Sequence, residues 1–219
     1  MSNQERQIIS KKRVADHGEV YTSEREVKAM LDLVKSETER IDSRFLEPAC
    51  GNGNFLIEVL KRKLGVVTRN YSHSRVEYEV YALLAISSLY GIDILEDNVE
   101  ACRDRLNKYF TEEYNKLFKD KCEAKYYEVV SYLLERNIIW GDALTLLRVD
   151  IPDSPIVFSE WSLVNKVKFK RRDFTMSHLL ECAPLEGKNL FSDLGEDVFI
   201  PTPIKEYPLT HYLELKNAN

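Results

Sequence analysis

Three short stretches carry residue types that can hold a ligand. The first is Glu47-Pro48-Ala49-Cys50-Gly51-Asn52-Gly53-Asn54, where a strand-like segment ends and a helical pattern begins at Phe55. Two glycines in such a turn let a ligand approach the backbone, and the first turn of the next helix offers N–H groups with no partner inside the helix. By itself Gly51-x-Gly53 reads equally as a tight turn that binds nothing. The second stretch is Gly91-Ile92-Asp93-Ile94. An acid at the end of the second strand of a parallel sheet is the usual acceptor for ribose hydroxyls; the plain alternative is a helix-capping or solvated acid. Asp93 follows Gly53 by 40 residues, against roughly 20 in a dinucleotide-binding unit, so a nucleoside ligand other than NAD suits the spacing better. The third is Gly141-Asp142-Ala143, whose acid can accept from an adenine amino group, although Gly-Asp is also a common loop pair.

These stretches need elements to position them. Ser23 reads as a helix N-cap with Glu26 as its capping-box partner, and Val27, Met30, Leu31 and Val34 continue at helical spacing to about Glu39. Phe55 to Leu64, Val76 to Tyr90 and Val99 to Phe110 read as helices, 65–74 as a loop and 111–136 as a charged helical insertion. A short strand ends near Glu47, and Gly91–Ile94, Asn137–Trp140 and Pro155–Phe158 are strand-like. Alternation of this kind predicts a parallel sheet covered by helices. After Phe158 the pattern fades. The expected organisation is an arm over 1–20, a ligand-binding domain over 21–162 and an extension over 163–219 that completes the sheet or docks on a partner.

Taken together, the motifs resemble those of S-adenosylmethionine-dependent DNA adenine-N6 methyltransferases of restriction–modification systems. Glu47 to Leu56 is similar to the family's cofactor loop. Gly18-Glu19-Val20-Tyr21-Thr22-Ser23 resembles its upstream aromatic-Thr-Pro segment, with Ser23 in place of Pro. Leu89 to Ile94 followed by Asn98 to Leu106 resembles the ribose-binding strand and its helix, and Ile139 to Leu144 the adenine-contacting motif. The four occur in the family's order over 18–144. The resemblance implies an α/β fold: a class I methyltransferase-like Rossmann sheet with helices on both faces and an irregular C-terminal extension. It implies that Tyr21 and Thr22 line the methionine end of S-adenosyl-L-methionine. Glu47, Ala49, Gly51 and Gly53 would border its methionine and ribose, Asp93 hold the ribose hydroxyls, Ile94 pack on the adenine and Asp142 accept from its amino group.

The resemblance fails at one place. The adenine amine is a poor nucleophile because its lone pair is delocalised into the ring. The family meets this after the fourth strand with Asn or Asp, two prolines and an aromatic, whose oxygens accept the amine's hydrogens while the ring stacks on the flipped base. This chain has Ser159-Glu160-Trp161-Ser162 there. In one reading Trp161 stacks on the base while Glu160 or Ser159 accepts from the amine. In another the site is silent and the chain is a cofactor-binding or structural subunit that partners a complete methyltransferase. In a third Trp161 is simply core. Transfer to DNA adenine is the leading expectation, by direct in-line attack without metal; RNA or protein is a weaker substrate class.

Composition limits the rest. Over 219 residues the chain is 44% hydrophobic and 31% charged, ordinary for a globular protein. No apolar run approaches the roughly 18 residues of a membrane span, and Met1 to Arg6 lacks a secretory signal's apolar stretch. Cys50, Cys102, Cys122 and Cys182 are widely spaced, which argues against a zinc site or disulfide framework and for the reducing cytoplasm. The formal charge of −5, from 31 basic and 36 acidic residues, disfavours tight DNA binding unaided. DNA is therefore expected to be engaged with a partner chain or as a homodimer. Lys166, Lys168, Lys170, Arg171 and Arg172 around Phe169 read either as a phosphate-contacting strand face or as the solvated guard of an edge strand.

Overall fold

The computed structural model describes residues 13–15, 19–119, 123–181 and 201–218. Gly18, Cys122, Cys182 and most of the expected N-terminal arm lie outside the described residues. The first helix, α1 (Glu24–Asp32), begins where the capping box requires. The Ser23 hydroxyl accepts from the Glu26 N–H, and the Glu26 carboxylate accepts from the Ser23 N–H. Val27 and Leu31 form its buried stripe. Helix does not run on unbroken to Glu39: Val34 leaves the helical region (φ −121°, ψ 37°), and a separate α2 (Lys35–Glu39) follows.

The first sheet contains β1 (Phe45–Glu47), β2 (Leu89–Asp93), β3 (Ile138–Asp142) and the short β4 (Leu147–Arg148), in that spatial order. The first three are parallel, with Phe45 opposite Leu89 and Gly91 opposite Ile138; β4 is antiparallel to β3. Two long helices make each crossover. Between β1 and β2 run α3 (Asn54–Tyr71) and α4 (Arg75–Ser87), so residues 65–71, expected in a loop, are helical. Between β2 and β3 run α5 (Glu96–Phe118) and α6 (Ala124–Asn137). Leu89 and Ile138, on one face of the sheet, join the main core with Leu56, Leu60, Leu83, Leu106 and Leu133 of these helices.

Among the described residues the other face carries no matching layer of long helices, as a sheet helical on both faces would. Tyr90, Ile92 and Ile139 pack there against Ile156, Phe158 and Met176. These residues lead into a second, antiparallel sheet. Its hairpin is β5 (Val157–Asn165) and β6 (Lys168–Thr175), followed by the short α7 (Met176–Glu181); β7 (Lys205–Glu206) and β8 (Thr210–His211) both pair with β6. Of the strand expected at Pro155–Phe158, Val157 and Phe158 belong to the hairpin and Pro155 bridges Leu147 of β4; among the described residues no parallel strand lies beyond β1. Most of the described residues after 162 are regular where an irregular extension was expected, and β5 runs on to Asn165.

The hairpin's inward face explains why its pattern faded in the sequence. It presents Ser159, Trp161, Phe169, Arg171 and Asp173, all buried, so charged residues interrupt the apolar alternation. They satisfy one another. Arg171 bonds Asp173 through two nitrogens at 2.7 and 2.8 Å, donates to Tyr132 Oη at 2.7 Å and lies 4.0 Å from the Tyr207 ring centre. Burial lifts the Asp173 carboxyl, but hydrogen bonds from Arg171, Ser159 and Tyr207 outweigh it and hold the group below the ordinary carboxylate range. A 3-10 turn over Tyr212–Asn217 closes the described chain against α6, with the Tyr212 hydroxyl donating to the buried Glu79 at 2.8 Å.

Candidate functional site

The carboxyl ends of β1, β2 and β3 open into a cavity of about 680 Å³, where an open parallel sheet ordinarily binds its ligand. One wall is the glycine loop. The Cys50 N–H bonds the Ile92 carbonyl at 2.8 Å and the Gly51 N–H bonds Asp93 Oδ2 at 2.8 Å, so the loop is fastened to the end of the neighbouring strand. Gly51 and Gly53 have φ of +51° and +85°, a region that residues with a Cβ rarely enter. Space is also short. A Cβ on Gly51 would stand 2.9 Å from the Tyr21 ring, and one on Gly53 2.7 Å from Cys102 Sγ. Gly53 therefore turns toward α5 and is the expected cofactor residue that does not line the cavity.

The residues around Tyr21 form the second wall. Asn54, first in α3, donates to the Thr22 carbonyl at 2.9 Å. The Tyr21 hydroxyl lies 2.9 Å from Asn98 Oδ1 and 3.1 Å from Glu19 Oε1. Glu19 receives Arg13 Nη2 at 2.7 Å and Asn98 Nδ2 at 2.8 Å. Burial raises the Glu19 carboxyl, and the Arg13, Asn98 and Tyr21 hydrogen bonds more than reverse the shift, holding it below its usual range. Burial and the adjacent Glu19 carboxylate push the Tyr21 phenol up, so it stays a neutral donor.

Three acids face this space from the three strand ends. Asp93 is 8% exposed and accepts from Gly51, from the Leu95 N–H at 2.9 Å and from Asn98 Nδ2 at 3.1 Å. Those bonds use three of the roughly four acceptor positions of a carboxylate. Asp142 accepts from the Leu144 N–H through Oδ1 at 2.8 Å, while its Oδ2 has no partner among the described residues. Burial raises the Glu47 carboxyl, with the Ala49 N–H pulling the other way. Ala49 and the 48% exposed Ile94 add small and apolar surface at the rim. Sequence reasoning assigned no role to Glu19, Asn98 or Arg13. The one signal for Asn98 was its place in the first turn of the helix after Asp93.

Ser159, Glu160 and Trp161 do not reach the cavity. They sit within β5 rather than in a loop after a fourth parallel strand. The Ser159 hydroxyl is buried and donates to Asp173 at 2.8 Å. Glu160 pairs with Arg44 at 2.8 Å and with Arg172 at 3.2 Å. Trp161 is 5% exposed, meets Tyr132 edge to face and lies under the Arg171 guanidinium at 5.5 Å. Lys168, Lys170 and Arg172 share the opposite face of β6 from Phe169 and Arg171, with Lys170 paired to Glu206 at 2.9 Å. Among the described residues no cluster of three or more His, Cys, Asp or Glu side chains is placed to hold a metal ion, and no helix is long and apolar enough to cross a membrane.

One curated protein shares sequence with part of the chain. It comes from Methanocaldococcus jannaschii, carries the provisional name of a type II restriction enzyme and methyltransferase, and is 37% identical over 84 residues. The match covers 37% of this chain and 7% of that protein's length. No protein-family model matches the chain, and no solved structure does.

Proposed function

We propose that the chain binds S-adenosyl-L-methionine at the ends of β1, β2 and β3 and acts in a restriction–modification type of DNA methylation, of the adenine-N6 kind, in the cytoplasm. The observation that carries this reading is the convergence of the glycine loop, Tyr21, Asp93 and Asp142 on one cavity of about 680 Å³. The acceptors suit the cofactor. Asp142 has an open acceptor for an adenine amino group, Asp93 keeps one acceptor for a ribose hydroxyl, and Glu47 faces a site whose acidic lining favours a cationic ligand. Contiguous parallel β1, β2 and β3 also match one half of a Rossmann-like sheet. The similarity to the archaeal protein points the same way.

When bound, the cofactor supplies a sulfonium methyl group for attack by an amine. The chain's own residues would fix its position: Asp93 and Asp142 by hydrogen bonds, Gly51 by permitting close approach, Tyr21 and Thr22 by covering the methionine end, and Ile94 by contact with the base. Positioning of this kind supplies much of the rate in a direct transfer. Ser159, Glu160 and Trp161 are the chain's counterparts of the base-holding element. Their burial in β5 favours a second reading, in which the chain is a cofactor-binding subunit and a partner chain brings that element to DNA.

Calorimetric titration of the purified chain with S-adenosylmethionine tests the binding; micromolar affinity is expected, and no heat at millimolar ligand rejects it. Methyl transfer from labelled cofactor to DNA, RNA and protein then separates the readings. Transfer to DNA adenine by the chain alone supports the enzyme. Binding without transfer until a chain bearing Asn-Pro-Pro-Tyr is added supports the subunit.

A further inference from the structure

We infer that Asn98 is a positioning residue for this cavity: its carboxamide sets the acceptor geometry of Asp93 and the placement of Tyr21. The inference rests on the cofactor reading above. Asn98 is the third residue of α5 and is 3% exposed. Its amide nitrogen donates to Glu19 Oε1 at 2.8 Å and to Asp93 Oδ1 at 3.1 Å. Its oxygen faces the Tyr21 hydroxyl at 2.9 Å and Arg13 Nη2 at 3.3 Å. One side chain thereby ties the segment around Tyr21 to the end of β2.

The arrangement has a consequence at Asp93. Leu95 and Asn98 both donate to Oδ1, whereas Gly51 donates to Oδ2. With about two acceptor positions per carboxylate oxygen, Asn98 fills Oδ1 and leaves the open position on Oδ2, the oxygen beside the glycine loop. Losing the amide would leave Asp93 held by Gly51 and Leu95 alone, open a second acceptor position on Oδ1, and remove the donor that stands between the Glu19 and Asp93 carboxylates. The charged and titratable groups facing Asn98 are Arg13, Glu19 and Tyr21, Asp93 from β2, and Asp97 on its own helix.

The test is calorimetry with S-adenosylmethionine on the wild-type chain, Asn98→Ala and Asn98→Asp, between about pH 6 and about pH 8.5, where an acid lifted by neighbouring carboxylates titrates. Unliganded melting curves confirm that each variant is folded. Asn98→Ala is expected to weaken binding by about tenfold or more, the scale of one charge-assisted hydrogen bond, because the bonds to Asp93 and Glu19 are both lost. Asn98→Asp provides a readout that a space-filling role would not move. Its affinity relative to wild type should be lowest at high pH, where a third carboxylate repels Asp93. It should recover as the pH falls, when the protonated acid donates an O–H in place of the lost N–H. Binding by Asn98→Ala within twofold of wild type, or an Asn98→Asp ratio independent of pH, overturns the inference alone. Absence of binding by the wild type overturns the cofactor reading and the inference with it.

Discussion

At the scale of single residues, the site depends on where a few polar groups spend their hydrogen bonds. Asp93 fastens the glycine loop while keeping one acceptor for a ligand. Asp93→Ala is therefore expected to lose about 1–3 kcal/mol of S-adenosylmethionine affinity, measured by calorimetry; unchanged affinity would remove the nucleoside from that strand end. Lys63 has a different effect, at the far end of the same strands. Its ammonium is buried and donates to the Ser43 carbonyl and the Ser88 hydroxyl, just before β1 and β2. Burial brings its pKa down to about 7 from 10.5. The unfolded chain then binds more protons between those values, so stability rises with pH across that window and the penalty is full below it. The slope contributed is at most about 1.4 kcal/mol per pH unit. Urea unfolding of wild type and Lys63→Met at the two ends of the window should show the wild type gaining relative to the variant, and parallel behaviour would contradict the assignment. Asp93, Asp142 and the glycine loop were legible because strand ends and turns announce themselves locally. Glu19 and Asn98 were not, because their meeting is made by the fold across 79 positions of sequence.

At the scale of elements, β5 is where sequence and structure part. Its start was visible in Pro155-Ile156-Val157-Phe158, and Lys168, Lys170 and Arg172 do alternate onto one face of β6. The partner was not visible. A short apolar run does not say whether it pairs with a parallel sheet or turns back on itself, and the buried Arg171 and Asp173 disguised the strand that answers it. The helices show the converse error. Residues 65–71, expected in a loop, are helical because Val66 and Val67 continue the pattern of α3, and Val67 is fully buried. Because Trp161 is packed among Tyr132 and Arg171, Trp161→Ala should cost about 3–5 kcal/mol of stability, with cofactor affinity of the folded protein kept within twofold. A variant that kept its urea midpoint and lost only methyl transfer would return Trp161 to the chemistry.

At the scale of the whole molecule, two sheets share one body: the described C-terminal residues brace the second sheet, and Tyr212 ties them to Glu79 of α4 in the helical layer of the first. Arg171 reaches both Asp173 and the Ala218 carbonyl, and the Tyr207 hydroxyl also donates to Asp173. Asp173→Ala leaves a 4% exposed guanidinium without its counter-ion, and about 3–5 kcal/mol of stability should be lost. Part of it should return when Arg171→Met is added; no recovery in the double variant would count against the pair. The cavity, by contrast, is framed from segments far apart in sequence that are already bonded to one another: Gly51 to Asp93, Asn54 to Thr22, Asn98 to Glu19. Their ordering cost is met while the chain folds. A ligand therefore enters a preorganised frame and has few rotors to freeze, so the encounter resembles a key meeting a cut lock more than a hand closing.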